Sequence, residues 1–465
     1  MRIPLSPMSC KKFTLALIFG LATLGLLLAE GAAQTLPEPR RNQILNGLKI
    51  LLLPQPNEAN ALLQLRIHSG AAFDLQGKDG MMALLGDSFF PDPATREYVT
   101  DELGGRLEVT TSYDSINILL AGRASEFERM MEILRNAIIN PPLPDDLVTR
   151  LRETRIKQAR EAGATPAALA DRAIAARLFG AFPYGRPITG TPETLARVER
   201  ADLLLARERF INPNNATLVI AGNVDERRAM RAVRQLLGQW RKSEQVVPQT
   251  FRQPEAPDAR TLVIDRPGLT MAEVRLGARG LPRAERDQAA AGVLAAIARE
   301  RWLAALPELD KAKAFARHEA YALSGMFVLG ASVPAPSASK ALEAARKVAA
   351  SLATTLPTES EVARAKSEVF ADLSKRNGLA SPADLWLDAE TYKLSAPVDP
   401  QRALNGLTAA DVQRVAARLF RDATITTAVV GSTSQLGPEF ARTQSVEVLT
   451  ALPSPSLPER PAKRP

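Results

Sequence analysis

The chain has 465 residues, 46% of them apolar and 24% charged. That balance excludes a disordered polymer and allows two or more domains with cores of their own. The formal net charge of +8 does not mark a nucleic-acid binder: the first 33 residues and the last 14 each carry +2 of it, and elsewhere arginines alternate with acids, as in Arg150, Arg152, Glu153 and Arg155. Such alternation reads as a solvated helix face, not a phosphate-binding stripe.

In chain order, Lys11 and Lys12 precede an apolar run from Phe13 to Ala29, and the small residues Gly31, Ala32 and Ala33 follow. This layout predicts a signal peptide over 1–33, cleaved after Ala33, and an exported, periplasmic or extracellular protein. The run of 17 residues would nearly span a bilayer, so an uncleaved membrane tether is the alternative. Cys10, the only cysteine, precedes the run, which leaves the mature chain without thiol or disulfide chemistry. Residues 34–43 are polar with two prolines and read as a linker.

The first domain is expected over 44–240. Leu45-Asn46-Gly47-Leu48 is a turn feeding a strand, and a second strand follows over Ala61–Ser69. Arg106–Ser112 and Ser115–Ala121 read as a hairpin around Tyr113-Asp114. Glu126–Ile139, Asp145–Ala162 and Pro166–Gly180 carry the 3.6-residue apolar spacing of helices. Ala201-Asp202-Leu203 opens a further helix to Phe210, and a strand closes at Gly222. The stretch 241–258, polar with three prolines, is the expected inter-domain linker.

The second domain, 259–445, repeats the plan. Thr261–Asp265 and Ala272–Gly277 are its opening strands. Ala410-Asp411-Val412 opens a helix to Phe420, and its strand closes at Gly431. Asp202 to Gly222 and Asp411 to Gly431 span the same 20 residues, with the halves offset by 209, which predicts an internal duplication. The remainder, 446–465, is a Pro-rich basic tail. The expected fold class is α+β: two homologous repeats, each a mainly antiparallel β-sheet with helices packed on one face.

Several motifs in order resemble the N-terminal domain of the insulinase/pitrilysin metallopeptidase family. They are Leu45-Asn46-Gly47-Leu48, Gly80 opening a helix, Leu103-Gly104-Gly105-Arg106-Leu107, Pro183-Tyr184-Gly185-Arg186-Pro187 with Gly190-Thr191, and Asn212-Pro213-Asn214-Asn215-Ala216. The resemblance covers residues 43 to 435 and implies the LuxS/insulinase-like fold. Active members carry H-x-x-E-H on the helix at the Gly80 position: two His bind zinc, the Glu activates water, and a distant Glu completes the site. Here that helix reads Gly80-Met81-Met82-Ala83-Leu84-Leu85-Gly86-Asp87. The resemblance puts Ala83 and Asp87 at the His positions, Gly86 at the Glu position and Gln158 near the third ligand. Ala and Gly neither bind metal nor take a proton, so no zinc and no catalytic residue are expected.

The two histidines, His68 and His318, fall in different repeats and make no ligand cluster. An oxygen-only site of Asp87 with Asp101 or Glu102 is the weaker alternative. Some bacterial members work in pairs in which one subunit supplies an Arg and a Tyr; the matching positions here are about Glu308 and Phe315, with Arg301 nearby. Phe315 lacks the hydroxyl and Glu308 has the wrong charge for that role. A backbone edge at Gly104-Gly105 offers pairing to an extended peptide. The resemblance therefore implies an exported, non-catalytic partner or scaffold of an active zinc peptidase or an envelope complex. A homo-oligomer, a stand-alone peptide-binding chamber and a metalloendopeptidase with a non-standard site are the alternatives.

Overall fold

The computed structural model describes residues 36–139, 141–244, 254–306, 313–375, 378–437, 440 and 445–452. The leader with Cys10, residues 245–253 of the expected linker, Glu308 and the tail beyond Leu452 lie outside the described residues. The chain divides into Met1–Pro37 and Glu38–Pro465, and the second of these units holds both halves of the duplication.

Its first half runs β1 (Arg40–Gln43), β2 (Lys49–Pro54), β3 (Asn60–Ile67), α1 (Met81–Asp87), α2 (Pro93–Asp101), β4 (Arg106–Thr111), β5 (Ile116–Arg123), α3 (Phe127–Ile138), α4 (Asp145–Gly163), α5 (Pro166–Phe179), α6 (Pro192–Leu195), α7 (Arg200–Phe210), β6 (Ala216–Gly222) and α8 (Glu226–Leu237). The second runs β7 (Thr261–Asp265), β8 (Met271–Gly280), α9 (Gln288–Ala305), β9 (Phe315–Glu319), β10 (Gly325–Pro334), α10 (Ala338–Thr354), α11 (Glu359–Ser374), α12 (Ala380–Tyr392), α13 (Pro400–Asn405), α14 (Ala409–Phe420), β11 (Thr426–Gly431), α15 (Thr433–Leu436) and β12 (Val446–Leu449). Local chemistry starts the helices where the sequence places them. Thr165 caps α5 ahead of Pro166, and Thr408 and Asp411 form a capping box at α14.

Among the described residues the strands form two six-stranded sheets, ordered β1-β2-β6-β3-β5-β4 and β12-β7-β11-β8-β10-β9. They match in register as well as order. The row Leu53, Ala221, Leu62, Ala121 across the first corresponds to Ile264, Val430, Glu273, Ser332 across the second. Each residue lies 211 positions further on, except in the inserted strand, where the step is 209. The duplication read from Gly222 and Gly431 is thus reproduced by the hydrogen-bond ladders themselves.

Three details differ from the sequence reading. Successive strands β2 and β3 are not neighbours: β6 enters between them, parallel to β2 and antiparallel to β3. Arg40–Gln43, read as linker, is an edge strand antiparallel to β2. Val446–Leu449, read as the start of the tail, adds parallel to β7. Both edges are short and lack a strong alternating pattern, so only their partners' open edges specify them.

Each half stacks helices on one face of its sheet. Leu63, Leu65 and Ile67 of β3 meet Leu84 and Leu85 of α1 and Phe127, Met130 and Leu134 of α3. Val274, Leu276 and Ala278 of β8 meet the alanine-rich α9 and α10. The opposite faces are also covered, by a reciprocal exchange. Helix α5 of the first half lays Ala170, Ala173, Ile174 and Leu178 against the second sheet, where Ile264, Val328, Ala428 and Val430 complete a third core. Helix α12 of the second half crosses the first sheet through a polar seam. Asp384, Asp388 and Thr391, spaced i, i+4, i+7, meet Gln64 and Arg66 of β3 and His68 just beyond its end at 2.6, 2.6 and 3.1 Å respectively.

Close approach limits what the exchange tolerates. A Cβ on Gly277 of β8 would lie 2.9 Å from Cγ1 of Ile174 and 3.2 Å from Cδ1 of Leu178, both on α5. Gly277→Ala is expected to cost about 1–3 kcal/mol by overpacking, seen as a lower urea midpoint. An unchanged midpoint would mean that α5 shifts freely on the sheet.

Candidate functional site

The motifs that carry the family resemblance hold helix α1 in place. Asp74 is buried and accepts from the amides of Gly80 and Met82, both at 2.7 Å, which satisfies the first turn of α1. Burial pushes its carboxyl up to about 7, against those amides and the nearby Arg186 that favour the charge. Asp79 is also fully buried; desolvation raises its pKa and Arg186 at 3.3 Å opposes this. Gly80 sits at φ +91°, and a Cβ there would come within 2.9 Å of the Gly190 backbone, so only glycine enters the helix at this point. Tyr113 donates to the carbonyls of Tyr184 (3.0 Å) and Arg186 (2.7 Å), fastening the Pro183–Gly190 turn to the β4–β5 hairpin.

Within this frame the three positions that the resemblance aligns with H-x-x-E-H are Ala83, Gly86 and Asp87. Ala83 and Gly86 are buried on α1. Asp87 is not free: Nε and Nη2 of Arg155, on α4, each donate to one of its oxygens at 2.7 Å. Nη2 also reaches the Ala83 carbonyl at 3.3 Å. Sequence alternation makes Arg155 a solvated surface cation; in the fold its side chain is only 13% exposed. The signal available in the sequence is a cation on α4 opposite the lone acid of α1. Gln158, one turn further on, is exposed, so Arg155 is the residue that α4 turns toward Asp87. The donor set here is one carboxylate already neutralised by a guanidinium, which does not fit a zinc ion. Among the described residues no group of three or more His, Cys, Asp or Glu is arranged to hold a metal.

A Cβ added to Gly86 would stand 3.0 Å from Thr111 Oγ1 and 3.6 Å from Val109 Cγ1. The helix-propensity gain of about 1 kcal/mol for Gly86→Ala meets a contact that the Thr111 hydroxyl must relieve by rotating. The variant is expected to stay within about 1 kcal/mol of wild type by thermal unfolding. A loss of several kcal/mol would mean that Thr111 is immobile.

The remaining expected residues do not converge on this helix. Gly105 packs so closely on β5 that a Cβ would lie 1.8 Å from the Ala121 carbonyl oxygen; it is a strand joint. It leads into β4, which among the described residues pairs with β5 alone and so forms an edge of the sheet. Gly104, at φ +63°, completes the turn. Asp101 and Glu102 close α2 and are exposed. Arg301, read beside a substrate loop, instead ties α9 to the outer helices: it donates to Glu361 at 2.8 and 3.1 Å and to Ser351 at 3.1 Å. The Arg301 partner holds Glu361 down to about 2. Phe315 opens β9 with its ring between the guanidiniums of Arg275 and Arg317, 5.0 and 4.9 Å from its centroid. Both histidines are half-buried and hydrogen-bonded. His68 lies between Thr217 and Thr391, and His318 accepts from the Leu281 amide at 3.0 Å.

Sequence reasoning misses Asp114 in the β4–β5 turn. It accepts from the Tyr184 hydroxyl (3.0 Å), the Ala322 amide (3.0 Å) and the Tyr392 hydroxyl (3.3 Å), so one carboxylate gathers elements of both halves. Burial raises its pKa against these donors.

Comparison with known proteins gives two adjoining family matches. Residues 49–192 match the model described as "Insulinase (Peptidase family M16)", and residues 197–369 the one described as "Peptidase M16 inactive domain". The second match begins before α7 and takes in the closing helix and strand of the first sheet. An "Uncharacterized zinc protease" of Rickettsia bellii is 21% identical over 208 residues, 44% of this chain and 50% of that protein. The chain spans about half the length of the curated relatives it matches. A crystal structure of a protease from Helicobacter pylori superposes with a TM-score of 0.78 at 19% identity, covering 85% of this chain and 100% of that one. A chain of complex III2 from Candida albicans superposes with a TM-score of 0.71 at 16% identity, covering 88% and 100%. At these identities the likeness shows the shared two-repeat fold.

Proposed function

The chain belongs to the insulinase/pitrilysin family, and from that premise we propose that it is an exported, non-catalytic subunit that partners or scaffolds an active zinc peptidase or an envelope complex. The match to the family's inactive domain and the likeness to M16-type structures fit a member without catalysis of its own. The observation that carries the reading is the contrast inside one helix. A complete frame positions α1, from Asp74 and Gly80 to Gly190. The side chains that would act from it are a methyl, a hydrogen and a paired carboxylate. Hydrolysis by this fold needs a metal-bound water and a general base, and Ala83 and Gly86 supply neither. That a chain of complex III2 has the same architecture supports a use of this fold within an assembly.

The test is recovery of the tagged full-length chain from its own cells, with its companions identified by mass spectrometry. A relative bearing H-x-x-E-H, or a defined envelope complex, is the expected companion. A protein that is monomeric at every step and brings neither would sink the proposal. So would chelator-sensitive peptide cleavage by the purified chain.

A second reading rests on the open edge of β4. Arg106–Thr111 alternates exposed and inward residues beside α1, and its outward N–H and C=O groups, unpaired among the described residues, offer an extended peptide the place of an added strand. Peptide titration with hydrogen exchange separates the two. Protection confined to Arg106–Thr111 favours this reading, and its absence at saturating peptide removes it.

A further inference from the structure

We infer that Arg155 is a built-in cation that does the structural work a metal would do between α1 and α4, and that it closes this site to zinc. The inference rests on the reading that the chain has no catalysis of its own. Its support is the fork of hydrogen bonds that Arg155 makes to α1. The guanidinium takes both oxygens of Asp87 at 2.7 Å and the carbonyl of Ala83 at 3.3 Å. One cation thus engages positions i and i+4 of α1, the pair that would face a metal in an H-x-x-E-H helix. The planar guanidinium suits this task because its donors match a carboxylate two at a time, which an ammonium does not.

The surroundings favour the arrangement. Ala83 is buried and carries only a methyl, and Gly86 faces Val109 and Thr111 of β4, so neither side chain competes with Arg155 for Asp87. Asp87 is 36% exposed and Arg155 13%, so the pair is partly screened from water and the guanidinium is its better-buried half. A divalent ion placed in the same cradle would stand within a few ångströms of a fixed positive charge, with the one carboxylate already engaged. Loss of ligands and gain of a plug are therefore separate obstacles. Restoring histidines alone leaves the second in place.

Two experiments on the full chain test this. In the first, thermal unfolding is compared for wild type, Asp87→Asn, Arg155→Gln and the double variant. Each single change is expected to lower Tm by several degrees, and the double no further than the worse single, because both remove one shared interaction. Shifts that simply add overturn the inference. In the second, two ligand-restored forms are dialysed against zinc and the bound metal is counted. Ala83→His with Asp87→His, keeping Arg155, is expected to retain little. The same pair with Arg155→Gln, which removes the positive charge and adds no carboxylate, is expected to retain several-fold more zinc. Equal zinc content in the two forms overturns it. Neither outcome depends on a partner, and wild-type peptidase activity would sink the functional reading while leaving the coupling of Asp87 to Arg155 measurable.

Discussion

Arg275→Met is expected to lower the free energy of unfolding by about 3–5 kcal/mol, the cost of breaking a buried charge network from one side. Arg275 is 2% exposed in the face of β8 that α5 covers. Its guanidinium donates to Asp171 of α5 at 2.6 Å, to Glu273 at 3.1 Å and to the carbonyls of Val274 and Ala167 at 3.0 and 3.3 Å. Phe315 lies on its flat face. Methionine fills much of the same volume, so the loss isolates the polar part. It leaves Glu273 largely buried without its cation and removes a cross-link between the halves. The contrast is Arg364→Ala. Arg364 pairs with Glu300 at a similar distance, 2.7 Å, but the two side chains are 57% and 46% exposed. That pair is worth at most about 1 kcal/mol. Urea unfolding of both variants decides the point. Equal, small losses would show that the α5–β8 seam is solvated and that Arg275 is a surface pair in disguise.

The same seam shows where the sequence stops being legible. Strands β3 and β8 are readable from their alternation, and so is the duplication. The alternation along β3 and its exit, Leu63-Gln64-Leu65-Arg66-Ile67-His68, also implies one apolar and one polar face, and a polar face is ordinarily a wet one. In the fold it is buried: Gln64 is 1% exposed and Arg66 8%. What covers it is α12, more than 300 residues away, whose acids at 384 and 388 look like a solvated helix stripe until Arg66 is placed opposite. Complementarity between remote amphipathic faces is not a local signal. For the same reason β6 can be recognised as a strand but not as the one that inserts between β2 and β3.

At the site, absence is legible and replacement is not. The resemblance sets Ala83 and Gly86 where an imidazole and a general base would stand, and their residue types are plain in the sequence. Nothing in the run Arg150–Arg155 singles out the arginine that meets Asp87, because a charged helix reads the same whether its cations face water or a partner. Arg301 goes the other way. Its neighbourhood suggests a substrate loop, whereas Glu361 on the adjoining helix binds it with both oxygens.

Acid should weaken the chain through its two histidines. His68 sits between β3, β6 and α12. Thr391 spends its hydroxyl hydrogen on the Leu387 carbonyl at 2.7 Å, so Nδ1–H of His68 donates to Thr391 and Nε2 accepts from Thr217. Burial, with Lys393, Arg66 and Lys49 nearby, drives its pKa down to about 3. Burial and then Arg283 bring His318, whose Nε2 accepts the Leu281 amide, to about 4. Both are lower in the folded state than the ordinary value of 6.5, so the unfolded chain binds the extra protons. Stability from this source is complete above pH 6.5 and is lost as pH falls from there toward the folded values. At pH 5 each histidine removes about 2 kcal/mol. Asp74 works in the opposite sense: with its pKa up near 7, it adds stability as pH falls through the same range. The wild-type curve alone therefore does not isolate the imidazoles, but a difference does. His68→Gln keeps a hydrogen-bonding side chain and removes the titration. Its stability deficit relative to wild type, measured in urea, should shrink by about 2 kcal/mol between pH 7.5 and pH 5. A deficit that stays constant with pH would mean that His68 can charge without leaving its place between the threonines, and that the α12 seam is open to water.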